Sequence, residues 1–319
     1  MSLKIAGTGS SLPEFVLDNS TLTKLVDTTD EWIMLRTGIR ERRILTKESI
    51  KDLAVTAALS AMENSGLKAE EIDLIICTTV HGQYLVPSLA CIIQSEIGAG
   101  CPAFDINAAC TGFIYGLSVA KAYIESGMAE KILLVSAESM SQITDYTDRA
   151  TCVLFGDGAG AVVLEKGNSL LSVFVTAKGN EELLNVPVSK GNFPYIKHES
   201  EAESFLFMKG QEIYKFAVQA INNDILKVIK DANLEIADID YFFIHQANAR
   251  IVDAARIKLK IPEEKILKNI FKYGNTSSAC IPIMLDEFFK EGKLKIGMKI
   301  VLSAFGGGLT TGAAVIRID

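Results

Sequence analysis

Apolar runs bounded by turn residues alternate along this chain with stretches in which apolar residues recur every three to four positions. The first pattern is typical of buried strands, and the second is typical of amphipathic helices. The alternation therefore predicts an α/β fold in which crossover helices join the strands. The helical stretches cover residues 50–65, 111–126, 214–231, 247–260 and 277–291.

The second half of the chain repeats the pattern of the first. Residues 67–76 (LKAEEIDLII) and 234–243 (LEIADIDYFF) share an acidic loop, an Ile-Asp pair and an apolar strand. Gly-rich turns and apolar strands recur at a similar spacing, which is far longer than the ~20–50-residue period of solenoid repeats. We therefore expect two duplicated α/β halves, which divide the chain into residues 1–170 and 171–319.

Composition is consistent with this architecture and excludes several classes of protein. A chain of 319 residues with 49% hydrophobic residues is long enough for two domain-sized units around a large core. A net charge of −7 argues against nucleic acid as the main partner. We expect no membrane anchor and no secretion, because no segment approaches ~20 unbroken apolar residues and no apolar stretch follows a basic start. The expected location is the cytoplasm.

The six cysteines form no C-x-x-C pair and no cluster with histidine, so the sequence suggests neither a zinc site nor a disulfide framework. Cys110 alone has a catalytic context, and we expect the other five to be small buried hydrophobes. It lies in the run DINAACTGF (105–113), where an apolar stretch stops and a helical pattern begins. The unpaired N–H groups of a first helical turn favour thiolate, so we expect a pKa lowered to roughly 3.5–7.5.

Two further polar residues complete a candidate site. Of the three histidines, His81 and His198 lie in predicted loops, whereas His245 ends a strand, where open α/β sheets place their active sites. Asn275 lies in YGNTS and by itself would also suit a turn or a helix cap. If the two halves are superposed, the segment at Cys110 matches that at 275–278, which brings two helix starts to one cleft. The sequence thus predicts a nucleophile with two hydrogen-bonding partners.

Several ordered motifs carry a resemblance to a known family. They are GTGSSLPE near the start, DTTDEWI and RTGIRER within residues 27–42, the Cys110 run, FGDGAG, HQAN, GNTS and FGGG. With these motifs the chain resembles, over nearly its whole length, the thiolase-fold condensing enzymes, and within them the 3-oxoacyl-acyl-carrier-protein synthase III family. The resemblance implies a thiolase-like fold with α-β-α-β-α layers, a homodimer, and an acyltransferase that starts bacterial type II fatty acid synthesis.

The resemblance also implies a mechanism. Cys110 would attack the thioester of an acyl-CoA primer and release CoA, after which malonyl-acyl carrier protein would bind. His245 and Asn275 would donate hydrogen bonds to the enolate that forms as carbon dioxide leaves. Backbone N–H groups of Cys110 and Gly307 would form the oxyanion hole. No cofactor and no metal is implied, because the CoA thioester is itself a substrate.

Binding residues follow from the same resemblance. Trp32 matches the residue that stacks on adenine, and Arg36 and Arg149 match arginines that contact the base and the phosphates. The remaining matches to CoA or pantetheine contacts are Thr28, Gly210, Ala247 and Asn248. Candidates for the landing surface of the acidic carrier protein are Lys215, Arg250, Arg256 and Lys258. Basic residues on exposed helices are otherwise solvated, so this surface is an expectation of the resemblance alone.

The chain departs from the family pattern at a few positions. Thr311, Gln211 and Tyr214 replace residues common in bacterial members, and none of these changes removes a catalytic group. Val86 stands where a phenylalanine often caps the acyl pocket of the neighbouring subunit. We therefore expect a roomier acyl pocket that admits branched or medium chains, unless Met140 fills the space.

The same residues also suggest four alternative functions. Papain-like hydrolases also order Cys, His and Asn along the chain, but this sequence lacks their C-G-S-C-W context and has a duplicated organisation. A degradative thiolase would carry a second cysteine in the last Gly-rich turn. The turn FGGG has none, so this class is disfavoured. A specialised relative that serves secondary metabolism, or that only transfers the acyl group, is the alternative closest to the main interpretation. A non-catalytic homologue that binds carrier protein is disfavoured because Cys110 and His245 are both present.

Overall fold

A computed structural model of the protein describes residues 2–188 and 205–319, so that His198 lies outside the described residues. The strands are β1 (Ser2–Ser11), β2 (Val16–Asp18), β3 (Glu41–Arg43), β4 (Leu74–Thr78), β5 (Ala103–Ile106), β6 (Lys131–Ser139), β7 (Asp157–Gly167), β8 (Leu170–Ala177), β9 (Leu184–Asn185), β10 (Phe207–Met208), β11 (Tyr241–Ile244), β12 (Lys299–Gly306) and β13 (Thr310–Arg317). The α-helices are α1 (Asn19–Leu22), α2 (Asp30–Thr37), α3 (Ile50–Ser65), α4 (Leu89–Ile97), α5 (Gly112–Glu125), α6 (Arg149–Cys152), α7 (Gly210–Asp231), α8 (Ala249–Leu259), α9 (Ile270–Tyr273) and α10 (Cys280–Lys290).

The two large sheets have the same arrangement of strands. The first has the order β1-β7-β6-β4-β5, and the second has the order β8-β13-β12-β11. In the first sheet β1, β7 and β6 pair antiparallel, and β6 then pairs parallel with β4. In the second sheet β8, β13 and β12 pair antiparallel, and β12 then pairs parallel with β11. The expected duplication is confirmed, while the boundary near residue 170 stays a prediction.

The helices and sheets form five layers. Helices α3 and α4 cover the outer face of the first sheet, and α7 and α8 cover the outer face of the second. Helices α5 and α10 lie between the sheets, where Phe113 and Met284 pack with Leu134 of the first sheet and Leu302 of the second. The thiolase-like α-β-α-β-α architecture is therefore confirmed. It places the starts of α5 and α10 side by side at the centre of the molecule.

The five predicted helical stretches correspond to α3, α5, α7, α8 and α10. Helix α3 has the predicted bounds because Ser49 and Asp52 form a capping box and Gly66 ends the helix with a φ of 73°. Helix α7 begins at Gly210, four residues before the predicted start. The prediction missed this start because no side chain caps it. In the part of the chain that the structure describes, no helix is long and apolar enough to cross a membrane.

The cysteines differ in exposure. Cys77, Cys152 and Cys280 are buried as expected, but Cys91 is exposed and Cys101 is half-buried, so the prediction for these two is wrong. Cys91 belongs to α4, whose Leu89, Ala90 and Ile93 face the core, and it lies on the opposite side of that helix. Among residues 2–188 and 205–319, no three His, Cys, Asp or Glu side chains gather as metal ligands would.

Candidate active site

Cys110 lies in a 3-10 turn, Ala109–Thr111, that joins β5 to α5. The side chain of Asn107 shapes this turn, because its Oδ1 accepts a hydrogen bond of 3.2 Å from the backbone N of Ala109. Ala109 has a φ of 47°, in the left-handed region, which reverses the chain just before the nucleophile candidate. Cys110 is thus positioned where the strand ends and the helix begins, as the sequence pattern predicts.

A second turn has the same geometry. Asn275 Oδ1 accepts a hydrogen bond of 2.9 Å from the backbone N of Ser277, and Ser277 has a φ of 50°. A 3-10 turn, Ser277–Ala279, follows and leads into α10. The two 3-10 turns pack against each other, and Ser278 occupies the position that corresponds to Cys110. The expected match between the two segments is therefore seen in the backbone itself.

A short bridge to the first half of the chain fixes Asn275. Its backbone N donates to the carbonyl of Leu154 at 2.9 Å, and its carbonyl accepts from the N–H of Gly156 at 3.0 Å. A Cβ at Gly156 would lie 2.2 Å from the carbonyl oxygen of Tyr273, so only glycine permits this approach. Asn275 is consequently held at 6% exposure beside the turn that carries Cys110.

His245 immediately follows β11 and is 1% exposed. Its backbone N donates to the carbonyl of Ser303 at 2.8 Å, and its ring meets the ring of Phe305 edge-on at 5.2 Å. Its Nδ1 lies 2.9 Å from Cys280 Sγ. Burial lowers the pKa of His245 to about 3, so the imidazole is neutral at pH 7 and carries one donor and one acceptor nitrogen.

The turn between β12 and β13 connects the histidine to the cysteine. Phe305 touches His245, and a Cβ on the next residue, Gly306, would lie only 2.7 Å from the backbone N of Cys110. Thr310 Oγ1 donates to the carbonyl of Ala108 at 3.0 Å, which joins this turn to the 3-10 turn that carries Cys110. The structure therefore brings together Cys110, His245 and Asn275, with Gly307 beside them.

The ionisation of Cys110 differs from the sequence expectation. Burial raises its pKa to about 12. The side chain is half-buried beside the second 3-10 turn, where a thiolate loses hydration, and this cost exceeds the stabilisation that the helix start offers. The prediction of a lowered pKa is wrong for the free enzyme, in which Cys110 is a thiol.

Sequence reasoning missed a buried carboxyl group beneath the site. Glu138 is the second-last residue of the apolar strand β6 and has no exposed surface. It accepts hydrogen bonds from Val80 N at 2.9 Å, Ser278 Oγ at 2.6 Å and Ser278 N at 3.2 Å. It thus holds the Asn275 turn against the first sheet. The only signal in the sequence is a charged residue within an otherwise apolar run.

Replacing Glu138 with glutamine should make stability less dependent on pH. Burial raises the pKa of Glu138 from 4.5 to about 7, so its stabilising contribution is present below pH 4.5 and is lost as pH rises through 7. We expect Glu138→Gln to gain stability relative to wild type between about pH 5 and about pH 8, by at most about 3 kcal/mol. Thermal unfolding midpoints of both proteins at the two pH values measure this, and parallel changes would contradict it.

The structure gathers several of the predicted CoA residues. The Arg149 guanidinium lies 5.0 Å from the centre of the Trp32 ring, and its Nη1 donates to the carbonyl of Asp27 at 2.8 Å. Asn248 caps α8 and donates from Nδ2 to the carbonyl of Arg36 at 3.0 Å, with Ala247 next to it in the chain. Trp32 and Arg149 therefore form one pair, and Arg36 and Asn248 form another.

Two further CoA candidates are placed less specifically. Thr28 Oγ1 is buried and has no hydrogen-bond partner within the described residues. Gly210 is exposed and begins α7, and a Cβ at this position would meet only the Met208 methyl group, at 4.0 Å. Their assignment to CoA stays a prediction.

The basic carrier-protein candidates divide into two groups. Lys215 and Arg250 are exposed, and the Arg250 guanidinium lies 5.9 Å from the ring of Tyr214, the residue before Lys215. Arg256 faces acidic partners instead, with Asp253 at 4.0 Å and Glu263 at 3.9 Å, while Lys258 is exposed. The structure thus brings Lys215 and Arg250 to one surface and leaves Arg256 in ion pairs.

The two acyl-pocket candidates have opposite environments. Val86 is 86% exposed in the single chain, in a loop that also exposes Tyr84 and Leu85. Met140 is 3% exposed and packs in a core cluster that includes Ile143 but not Val86. An exposed Val86 suits a side chain that contacts a neighbouring subunit, and its role in the pocket stays a prediction.

Two duplicated sheets, with a cysteine on one central turn and a His–Asn pair beside it, define a condensing enzyme of the thiolase-fold class. Residues 104–179 match the family description "3-Oxoacyl-[acyl-carrier-protein (ACP)] synthase III", and residues 229–318 match its C-terminal part. The chain belongs to the 3-oxoacyl-[acyl-carrier-protein] synthase III family. It is therefore an enzyme, an acyltransferase of the condensing type.

The similarity to known proteins covers nearly the whole chain. It is 46% identical over 320 residues to a beta-ketoacyl-[acyl-carrier-protein] synthase III from Clostridium acetobutylicum, covering 99% of this chain and 98% of that one. It is 48% identical to the protein of the same name from Oceanobacillus iheyensis, covering 99% of both chains. The crystal structure of 3-oxoacyl-[acyl-carrier-protein] synthase III from Aquifex aeolicus is similar with a TM-score of 0.92 and 45% identity, covering 99% of both chains.

Proposed function

We propose that the protein joins an acyl-CoA primer to malonyl-acyl carrier protein by decarboxylative Claisen condensation. The products are 3-oxoacyl-acyl carrier protein, CoA and carbon dioxide, and the reaction starts type II fatty acid synthesis. The observation that carries the proposal is the placement of the Cys110 thiol beside a neutral His245 and a buried Asn275. Neutral hydrogen-bond donors suit an enolate, whereas a hydrolase would need a base that activates water.

In the first half-reaction Cys110 becomes acylated. Its sulfur bonds to the thioester carbonyl carbon, the bond from that carbon to the CoA sulfur breaks, and the thiol proton passes to CoA. The backbone N–H groups of Cys110 and Gly307 stabilise the oxyanion of the tetrahedral intermediate. The close approach of Gly306 to the Cys110 backbone supports this assignment, since Gly307 directly follows Gly306 in the chain.

In the second half-reaction His245 and Asn275 act on the malonyl thioester. They donate hydrogen bonds to its carbonyl oxygen while the carboxylate leaves as carbon dioxide, so the developing enolate charge is stabilised. The enolate carbon then attacks the acyl carbonyl carbon, and Cys110 leaves as a thiolate that takes up a proton. A pKa of about 3 for His245 supports this role, because the neutral ring donates without acting as an acid.

Substrate binding completes the proposal. The adenine of CoA stacks at Trp32 and its phosphates pair with Arg149, because the indole face and the guanidinium are already 5.0 Å apart. Arg36 and Asn248 contact the rest of CoA. The acidic carrier protein docks on the exposed surface that Lys215 and Arg250 share. A homodimer and a cytoplasmic location belong to the same proposal.

Intact mass tests the proposal directly. Wild-type protein incubated with acyl-CoAs should gain an acyl adduct that Cys110→Ala lacks, and added malonyl-acyl carrier protein should discharge it as a 3-oxoacyl product with carbon dioxide. An adduct that persists, or that passes to another acceptor, would instead indicate the specialised acyltransferase. Absence of any Cys110-dependent adduct would refute the proposal.

Replacing Val86 with phenylalanine should narrow the choice of primer. A larger side chain at the pocket entrance fills space that branched or medium acyl chains need, and hydrophobic pockets discriminate such differences by about 10- to 200-fold. We expect Val86→Phe to reduce acylation by isobutyryl-CoA at least about tenfold, with acetyl-CoA changed only a few-fold. Leu85→Phe, at the neighbouring exposed position, is the control. Wild-type acylation by acetyl-CoA alone would show that the pocket is not enlarged.

A further inference from the structure

The thiol of Cys280 contacts the proposed catalytic histidine. Cys280 is the first residue of α10 and is 3% exposed, and its Sγ lies 2.9 Å from His245 Nδ1. The equivalent first residue of α5 is Gly112, where a Cβ would lie 2.9 Å from Thr78 Cβ. The second half therefore carries a polar side chain at a position where the first half has no room for one.

The chemistry of the two groups sets the direction of the hydrogen bond. Burial raises the pKa of Cys280 far above its ordinary value, so the sulfur keeps its proton. Burial also keeps His245 neutral, so only one ring nitrogen carries a hydrogen. The S–H group is thus free to donate to Nδ1, which leaves the hydrogen of the ring on Nε2.

We propose that Cys280 is a positioning residue that holds His245 in the Nε2–H tautomer. With Nδ1 occupied by the thiol and the ring braced edge-on by Phe305, His245 presents a donor to the malonyl thioester oxygen. The opposite tautomer would present a lone pair to the same oxygen and repel the developing charge. The inference rests on the proposed role of His245, and it adds the group that makes that role possible.

Half-reaction kinetics separate this role from a structural one. Cys280→Ala removes the donor, and we expect condensation from the pre-acylated enzyme to fall at least about tenfold while Cys110 acylation changes less than about threefold. Cys280→Ser restores a donor to Nδ1 and should recover most of the condensation rate. Cys77→Ala, which removes a buried thiol elsewhere in the core, is the matched control. An unchanged condensation rate in Cys280→Ala would overturn the inference.

The tautomer itself is measured on the wild-type protein. In protein with ¹⁵N-labelled histidine, long-range proton–nitrogen spectra should show the His245 hydrogen on Nε2, with His245→Gln used to assign the signal. A hydrogen on Nδ1 would overturn the inference even if the Cys280 variants fail to fold. The proposed function fails separately, if wild-type protein forms no Cys110 adduct at all.

Discussion

Alanine at His245 or Asn275 is expected to slow condensation by about 100- to 1,000-fold, which is the usual cost of removing one oxyanion donor. Acylation of Cys110 should be far less affected, because the proposed oxyanion hole for that step uses backbone N–H groups. Single-turnover formation of 3-oxoacyl-acyl carrier protein from pre-acylated enzyme measures the first quantity. Intact mass over time measures the second.

Asn275→Asp provides the control for the asparagine. An aspartate oxygen can still accept the hydrogen bond from Ser277 N, which shapes the turn, but it offers no N–H to the substrate. We therefore expect this variant to keep the turn and to lose condensation at least as severely as Asn275→Ala. Near-normal condensation in Asn275→Asp would mean that Asn275 only shapes the turn.

The second large effect is expected for Gly306→Ala, in which one added methyl group should slow the acylation of Cys110. A Cβ at Gly306 would lie 2.7 Å from the backbone N of Cys110 and 3.2 Å from its Cα, so Gly306→Ala must displace the nucleophile. A displacement of about 1 Å can cost about 100-fold in rate, and we expect a loss of that size in Cys110 acylation. The initial rate of adduct formation measures it, with thermal unfolding as the check on folding.

Gly307→Ala is the matched comparison. A Cβ at Gly307 would meet the side chain of Leu184 at 3.4 Å and that of Ala109 at 3.5 Å, both ordinary contacts, and the backbone N–H is retained. We expect a much smaller loss of acylation than in Gly306→Ala. Equal losses in the two variants would show that this whole turn, rather than the approach of Gly306 to Cys110, determines the rate.

Local patterns predicted the elements and the position of the chemistry. The spacing of apolar residues marked α3, whose ends the structure explains by the capping box at Ser49 and by Gly66, and strand ends marked His245 and Cys110. These signals are short-range, since each depends on residues within a few positions of one another. The start of α7 at Gly210 could not be predicted in this way because no side chain caps it.

The partners of the site residues could not be predicted because they come from distant parts of the chain. Glu138 meets Ser278 across 140 positions, and Cys280 meets His245 across 35. The pKa of Cys110 follows from desolvation beside the second 3-10 turn, a contact that only the assembled halves create. Sequence alone therefore pointed to residues that the structure brings together, but it gave the wrong direction for the pKa shift of Cys110.

The two paired turns share one backbone conformation and use it for different side chains. Both have an asparagine and a left-handed residue two positions later, at Ala109 and Ser277. The next position is Cys110 in the first turn and Ser278 in the second. In the second turn Ser278 instead donates a hydrogen bond to the buried Glu138, so the same backbone presents a thiol in one half of the chain and anchors the two halves to each other in the other.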